Sequence, residues 1–204
     1  MTAIKAPIWR QLVAEGGGLK LANLVTLSRA VLIAPILGML VAGQTLAALA
    51  VYSLAASTDL VDGWLARRSG RSSAFGAQLD AVVDNVFSLA ILVFLLLAYP
   101  GVAQRHPVAL TVLFAGPLAY LAASWLLTRR FLMFHFWSAK AGAVLLFCLW
   151  PLVWLTGAEA WIPLTAALIG LSRIEQLVFI QRGGVDLNAP HGLAPIPTPL
   201  ELQS

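Results

Sequence analysis

Apolar positions run through the chain in six long stretches, each broken by a short segment of polar residues, glycine or proline. About 20 apolar residues at helical rise span a bilayer. The pattern therefore predicts six transmembrane helices, at about 21–43, 45–66, 75–98, 107–128, 138–156 and 160–181. The first stretch is uninterrupted only from Ala30. Ahead of it, Leu21, Leu24, Val25 and Leu27 interleave with Asn23, Thr26, Ser28 and Arg29, so the first two turns must carry a polar face. Pro100-Gly101 stops the third stretch. Residues 8–13 (Ile-Trp-Arg-Gln-Leu-Val) suit a helix on the membrane surface, and Gly16-Gly17-Gly18 a hinge after it. Beyond Gly183, Pro190, Pro195, Pro197 and Pro199 predict an exposed, poorly ordered end. The expected fold is all-α, with an N-terminal interfacial segment (1–20), a six-helix membrane domain (21–182) and a tail (183–204).

Composition agrees with that pattern. Of 204 residues, 60% are hydrophobic and 11% charged, against about 25% charged in a soluble domain. An ordinary soluble enzyme and a disordered chain are excluded. The single cysteine, Cys148, rules out a disulfide framework and is expected to pack in its apolar run. His106, His135 and His191 lack metal-ligand spacing and read as surface or interface residues. Trp9, Trp137 and Trp161 fall at predicted membrane edges.

The net charge of +4 bears on topology rather than on nucleic acid, which is not expected as a partner. Six spans put both termini on one side. The loops of that side hold Arg67, Arg68, Arg71, Arg129, Arg130 and Lys140, and its termini hold Lys5, Arg10, Lys20 and Arg182. The opposite loops hold only Arg105. The positive-inside rule then places the termini in the cytoplasm, with the chain in the inner or plasma membrane. The polar leader before the first apolar stretch argues against a cleavable signal peptide.

Four of the nine acidic residues fall between positions 59 and 84. Asp59 and Asp62 are three apart near the end of the second span, and Asp80 and Asp84 are four apart near the start of the third, so each pair shares a helix face. Carboxylates at membrane depth cost roughly 2.5–3.5 kcal/mol each at mid-bilayer and repel one another. Hard divalent cations offset both effects, since Mg²⁺ and Mn²⁺ favour oxygen ligands. Two such ions between two carboxylate pairs would clamp a phosphoryl or diphosphate group. Arg67 adds a positive fork for phosphate, while Gly63, Ala66 and Gly76 leave room for a ligand.

The segment Asp59-Leu-Val-Asp62-Gly63-Trp-Leu-Ala66-Arg67, eight residues, then Gly76-Ala-Gln-Leu-Asp80-Ala-Val-Val-Asp84 resembles the signature of the CDP-alcohol phosphotransferases at every fixed position. Eight fixed identities arise by chance with a probability on the order of 10⁻¹⁰ per start position. The stretch Asn23-Leu-Val-Thr26-Leu-Ser-Arg29 is similar, more loosely, to the segment preceding that signature in bacterial phosphatidylglycerophosphate and cardiolipin synthases.

The resemblance implies a reaction in which an acceptor hydroxyl attacks the lipid-linked phosphate of a CDP-alcohol and CMP leaves. It implies Asp59, Asp62, Asp80 and Asp84 as ligands to two divalent ions, Mg²⁺ or Mn²⁺, with Asp80 bridging and Asp84 also taking the acceptor's proton. Asn23, Thr26, Gly63, Ala66, Arg67, Ser73 and Gly76 would line the CDP site. CDP-diacylglycerol is the implied donor, and a homodimer among membrane lipids the implied assembly.

Glycerol 3-phosphate is the first acceptor the resemblance favours. Those synthases carry Lys-x-Lys-Thr near the start of the fifth span, where this chain reads Ser138-Ala139-Lys140-Ala141. Serine, an inositol phosphate and phosphatidylglycerol therefore stay open. Arg129, Lys140 and the intramembrane Arg173 are the candidate contacts to an acceptor phosphate. Two other classes use similar residues. A cation transporter would use the Asp cluster as its ion site but leaves Gly63, Arg67 and Gly76 unexplained. A membrane prenyltransferase would carry more spans and a differently spaced Asp motif.

Overall fold

The computed structural model of the chain describes residues 21–69, 74–130, 132, 134, 136–184, 186 and 189–193, with 21–24, 58–69 and 74–81 described by their helical backbone. Seven helices make up the described regular structure, with no strand among the described residues. They are α1 (Leu21–Val41), α2 (Thr45–Ser69), α3 (Ala74–Ala98), α4 (Val102–Arg105), α5 (Pro107–Thr128), α6 (Trp137–Thr156) and α7 (Trp161–Gln181). The six long ones lie where the apolar stretches predict them. The interfacial segment expected over residues 8–13 lies outside the described residues.

Helix ends follow local chemistry. Gly101 adopts φ 82° after α3, the single turn α4 follows, and Pro107 opens α5 at a position where no backbone N–H is needed. Gly157 closes α6 at φ 64°, its N–H donating to the carbonyl of Val153. Arg129 closes α5 at φ 57°, and its guanidinium lies 4.5 Å from the centroid of the Trp125 ring. Pro35, Pro117 and Pro151 sit inside α1, α5 and α6. Interior prolines are tolerated far better in membrane helices than in soluble ones.

The chain divides into two compact units, Met1–Ala98 and Tyr99–Ser204. In the first, α1 packs against α2 and α3. Its core includes Ile36, Tyr52, Phe87 and Phe94. Tyr52 of α2 stacks on Phe87 of α3 with centroids 5.7 Å apart and meets Phe94 edge-on at 6.1 Å. In the second unit α7 packs against both α5 and α6. Gly142 of α6 lies so close to α7 that a Cβ there would come within 3.0 Å of Ile169 Cγ1. Small residues serve close helix packing of this kind in membranes.

Three helices, α5, α6 and α7, are long and apolar enough to cross a membrane. Among the described residues the other three long helices carry shorter apolar segments, Val25–Val41, Thr45–Ser57 and Val82–Ala98. Large aliphatic side chains stand exposed on all six, as at Val31, Leu54, Val82, Leu126, Leu155 and Leu171. Such an exterior suits lipid rather than water. Cys148 belongs to it. It is exposed on α6 and does not pack in the interior, because it falls on the face opposite the buried Leu146, Leu149 and Val153.

A polar staple ties the start of α5 to the start of α7. Arg105 forks onto Glu159, Nε to Oε2 at 2.8 Å and Nη2 to Oε1 at 2.6 Å, and His106 Nε2 lies 2.9 Å from the same Oε2. The Arg105 hydrogen bonds hold the Glu159 carboxyl down at about 2, against the opposing effect of burial and with a lesser contribution from His106. His106 is therefore a polar contact to Glu159 at the interface between the starts of α5 and α7.

The tail departs from the expectation of disorder at its described positions. Ala189 is buried in a cluster with Tyr120, Leu132, Phe134, Phe136, Phe179 and Ile180. The Pro190 carbonyl accepts from Trp137 N–H at 3.0 Å, and the Gly192 carbonyl from Arg182 Nη1 at 2.7 Å. Backbone groups make these bonds whatever the side chains, so a proline-rich composition did not forbid them.

Candidate active site

The four aspartates lie on two consecutive helices joined by residues 70–73. At 1.5 Å per residue, Asp59 and Asp62 stand about 15 Å and 10 Å from the Ser69 end of α2, and Asp84 and Asp80 about 15 Å and 9 Å from the Ala74 start of α3. The helices pair antiparallel, since Tyr52, farther from that connection, meets Phe87 and Phe94 at matching heights. Asp59 is thus level with Asp84, and Asp62 with Asp80. Asn23, Asp59, Asp62, Gly63, Ala66, Arg67, Gly76 and Asp80 are described by their helical backbone alone, and Ser73 lies outside the described residues. Among the described residues no group of three or more His, Cys, Asp or Glu is placed to hold a metal.

Asp84 is described in full. Its carboxylate Oδ1 accepts from Nη1 of Arg29 on α1. Arg29 is wholly buried, whereas the Asp84 side chain is 38% exposed. Thr26, one turn earlier on α1, is also buried. The polar face expected on the first turns of α1 therefore points into the unit at these two positions, and Ser28 points out, bonded back to the carbonyl of Val25. The sequence marked Arg29 as polar within an apolar span but assigned it no role. An intramembrane arginine without a local acid is the signal of a distant partner, here a carboxylate on another helix.

Carboxylates are the ligand type that hard divalent cations favour, and four of them fall on these two consecutive helices. Arg29 offsets the charge of one of them, Asp84.

The three cations proposed for an acceptor phosphate lie in the second unit, and the structure does not bring them into mutual contact. Arg129 is exposed over Trp125. Lys140 is exposed, its Nζ 5.0 Å from the centroid of the Trp137 ring. Arg173 is half-buried over Tyr120 and donates to Gln176.

The model of the CDP-alcohol phosphatidyltransferase family matches residues 19–172. The chain belongs to this family. Among curated relatives, it is 36% identical over 98 residues to a CDP-diacylglycerol–glycerol-3-phosphate 3-phosphatidyltransferase of Pseudomonas fluorescens, covering 46% of this chain and 50% of the relative. It is 38% identical over 91 residues to a CMP-forming cardiolipin synthase of Rattus norvegicus, covering 44% of this chain and 28% of the relative. An inositol 3-phosphatidyltransferase of Arabidopsis thaliana is 47% identical over 45 residues, 22% of this chain and 20% of the relative. The chain thus spans half or less of the length of these relatives. No solved structure matches it significantly. Family membership and the three long apolar helices make it an integral membrane protein of a phospholipid-synthesising transferase family.

Proposed function

We propose that the protein transfers a phosphatidyl group from CDP-diacylglycerol to an acceptor alcohol and releases CMP. The observation that carries this reading is the level pairing of Asp59 with Asp84 and of Asp62 with Asp80 on α2 and α3, within the family match. The acceptor hydroxyl oxygen forms a bond to the phosphatidyl phosphorus. The bond from that phosphorus to CMP breaks, and CMP leaves with the electron pair. The hydroxyl proton passes to the Asp84 carboxylate, which Arg29 orients. Two Mg²⁺ or Mn²⁺ ions held by Asp59, Asp62, Asp80 and Asp84 would neutralise the diphosphate and ease departure of CMP. Asn23, Thr26, Gly63, Ala66, Arg67, Ser73 and Gly76 hold the CDP group, Arg67 as a fork on phosphate.

Glycerol 3-phosphate is the acceptor favoured by the Pseudomonas relative, with Arg129, Lys140 and Arg173 as contacts to its phosphate. An inositol-type acceptor is the second reading, since the shorter Arabidopsis match is to an inositol 3-phosphatidyltransferase. Six membrane crossings with cytoplasmic termini and active site fit the charge distribution. Arg105, the one cation in the opposite loops, is matched by Glu159, whereas among the described residues Arg129 and Lys140 are not paired to acids. The working unit in this reading is a homodimer.

The test is CMP release by the purified protein in detergent, with CDP-diacylglycerol, Mg²⁺ or Mn²⁺, and a panel of acceptors beside Asp84→Asn. Acceptor-dependent CMP release lost in Asp84→Asn supports the reading and names the acceptor. Folded, metal-loaded protein that releases no CMP with any acceptor refutes it and favours an ion-transport role for the Asp cluster.

A further inference from the structure

Arg173 sits in apolar α7 with its guanidinium 5.0 Å from the centroid of the Tyr120 ring. Nη1 donates to Gln176 Oε1 at 3.2 Å, and Nε is buried with no hydrogen-bond partner. Among the described residues no carboxylate lies within ion-pairing distance of it. Glu175 is two residues along and so faces away from Arg173. Its Oε2 accepts from the Ser138 hydroxyl, and its Oε1 from Gly192 N–H at 2.7 Å. A half-buried guanidinium with no carboxylate partner and an unused Nε donor suits an anion.

The proton count fixes how Arg173 is held. A carboxylate only accepts, and a serine hydroxyl has one proton to give. Ser138 gives its proton to Glu175, so across the 3.1 Å contact between Ser138 and Ser172 it is Ser172 that donates. The Ser172 oxygen then accepts from Gln176 Nε2 at 3.2 Å, which leaves Gln176 Oε1 for Arg173. Every donor in the relay runs from Arg173 toward Glu175. The far end is secured by the tail. A Cβ on Gly192 would lie 2.7 Å from Glu175 Cγ and 2.8 Å from the Glu175 carbonyl oxygen, so glycine alone passes there. Arg182 holds the Gly192 carbonyl and Trp137 the Pro190 carbonyl.

We propose that Glu175 and Gln176 are positioning residues, anchored by the strap of residues 189–193, that hold Arg173 ready for the phosphate of the acceptor. This rests on the reading that the acceptor is a phosphate ester bound at Arg173. Glu175 fixes the direction of the relay, and Gln176 presents a carbonyl rather than an amino group to the guanidinium.

The test uses the full chain in detergent with inorganic phosphate as probe, read as the phosphate concentration that raises the melting temperature. Phosphate stabilises the wild type, and Arg173→Gln abolishes the effect. Gln176→Glu also abolishes it, by neutralising Arg173. Glu175→Gln and Gln176→Met each weaken apparent phosphate affinity by about fivefold, the worth of one hydrogen bond. Both replacements keep side-chain volume, so melting without phosphate stays near that of the wild type. Gly192→Ala weakens binding through the strap. With turnover, Glu175→Gln raises KM for glycerol 3-phosphate and leaves KM for CDP-diacylglycerol unchanged, a split that general loosening of the fold would not give. The proposal is overturned if phosphate does not stabilise the wild type, or if Arg173→Gln still binds it. It is equally overturned if Glu175→Gln and Gln176→Met both bind phosphate as the wild type does. Phosphate binding does not depend on turnover. A wild type that binds phosphate in this pattern but releases no CMP would refute the transferase reading and leave the relay standing.

Discussion

Arg29 and Asp84 are 55 residues apart, on α1 and α3, and form an ion pair with the arginine end wholly buried. The pair joins the polar face of the first helix to the last aspartate of the motif. Removing one partner of a buried pair costs about 3–5 kcal/mol, and solvent access at Asp84 puts this case at the low end. Arg29→Gln is expected to lower the melting temperature and to reduce CMP release more than Thr26→Val does. Arg29→Lys restores charge without the fork and should fall between them. Melting curves and CMP assays on the three variants check this. An Arg29→Gln protein equal to the wild type in both would show that the pair neither stabilises the fold nor orients Asp84.

The level pairing of the aspartates predicts metal-linked stability. A ligand that binds only the folded state raises stability by RT ln(1 + [L]/Kd), about 2.7 kcal/mol at a hundred times Kd. Mg²⁺ or Mn²⁺ should therefore raise the melting temperature of chelator-treated protein. Asp59→Asn, Asp62→Asn, Asp80→Asn and Asp84→Asn should each diminish that rise, Asp80→Asn most. They should also lower CMP release by about 10²-fold or more. Equal metal-induced shifts in the wild type and all four variants would place the metal elsewhere.

Glu159 gives a pH dependence with a definite sign. Its carboxyl titrates at about 2 in the folded protein, against an ordinary value of 4.5, chiefly because Arg105 donates to it. A depressed folded value stabilises above the unfolded one and loses that contribution as pH falls through the folded one. Stability contributed by the staple is therefore complete above about pH 4.5 and disappears toward about pH 2. Melting temperatures from pH 7 down to 2.5 should fall more steeply for the wild type than for Glu159→Gln. Parallel curves would mean that the staple adds nothing to stability.

The long helices were legible because run length and breaks are local properties. The fourth stretch, for instance, was expected at 107–128 and is Pro107–Thr128. The turn α4 left no trace, since four residues bury too little to impose a period. The Asp motif was legible from spacing, and the antiparallel pairing of α2 with α3 adds why the four positions share two levels. Arg29 could be read only as an unexplained polar residue, because its acid lies on another helix. The same holds for the Arg105–Glu159 fork and for the relay from Glu175 to Arg173. Each depends on which helices meet, and local pattern does not specify that. Composition misled at the tail, where the ring cluster of Phe134, Phe136 and Phe179 offers a surface for Ala189.

Gly184 tests how firmly that tail is seated. Its N–H donates to the carbonyl of Phe179 at 2.9 Å, closing α7 and fixing its backbone. A Cβ there would lie 2.4–2.6 Å from three carbons of the Phe179 ring. The ring has nowhere to retreat, since it meets Phe134 and Phe136 edge-on with centroids 5.3 Å and 5.4 Å away. Gly184→Ala should therefore destabilise by about 1–3 kcal/mol, the usual cost of overpacking. Phe179→Leu removes the obstructing ring edge, so adding Gly184→Ala to it should cost less than adding it to the wild type. A double-mutant cycle read by thermal melting measures the difference. Additive effects, or a Gly184→Ala protein that melts like the wild type, would mean that the tail does not pack on Phe179 in the membrane-extracted protein.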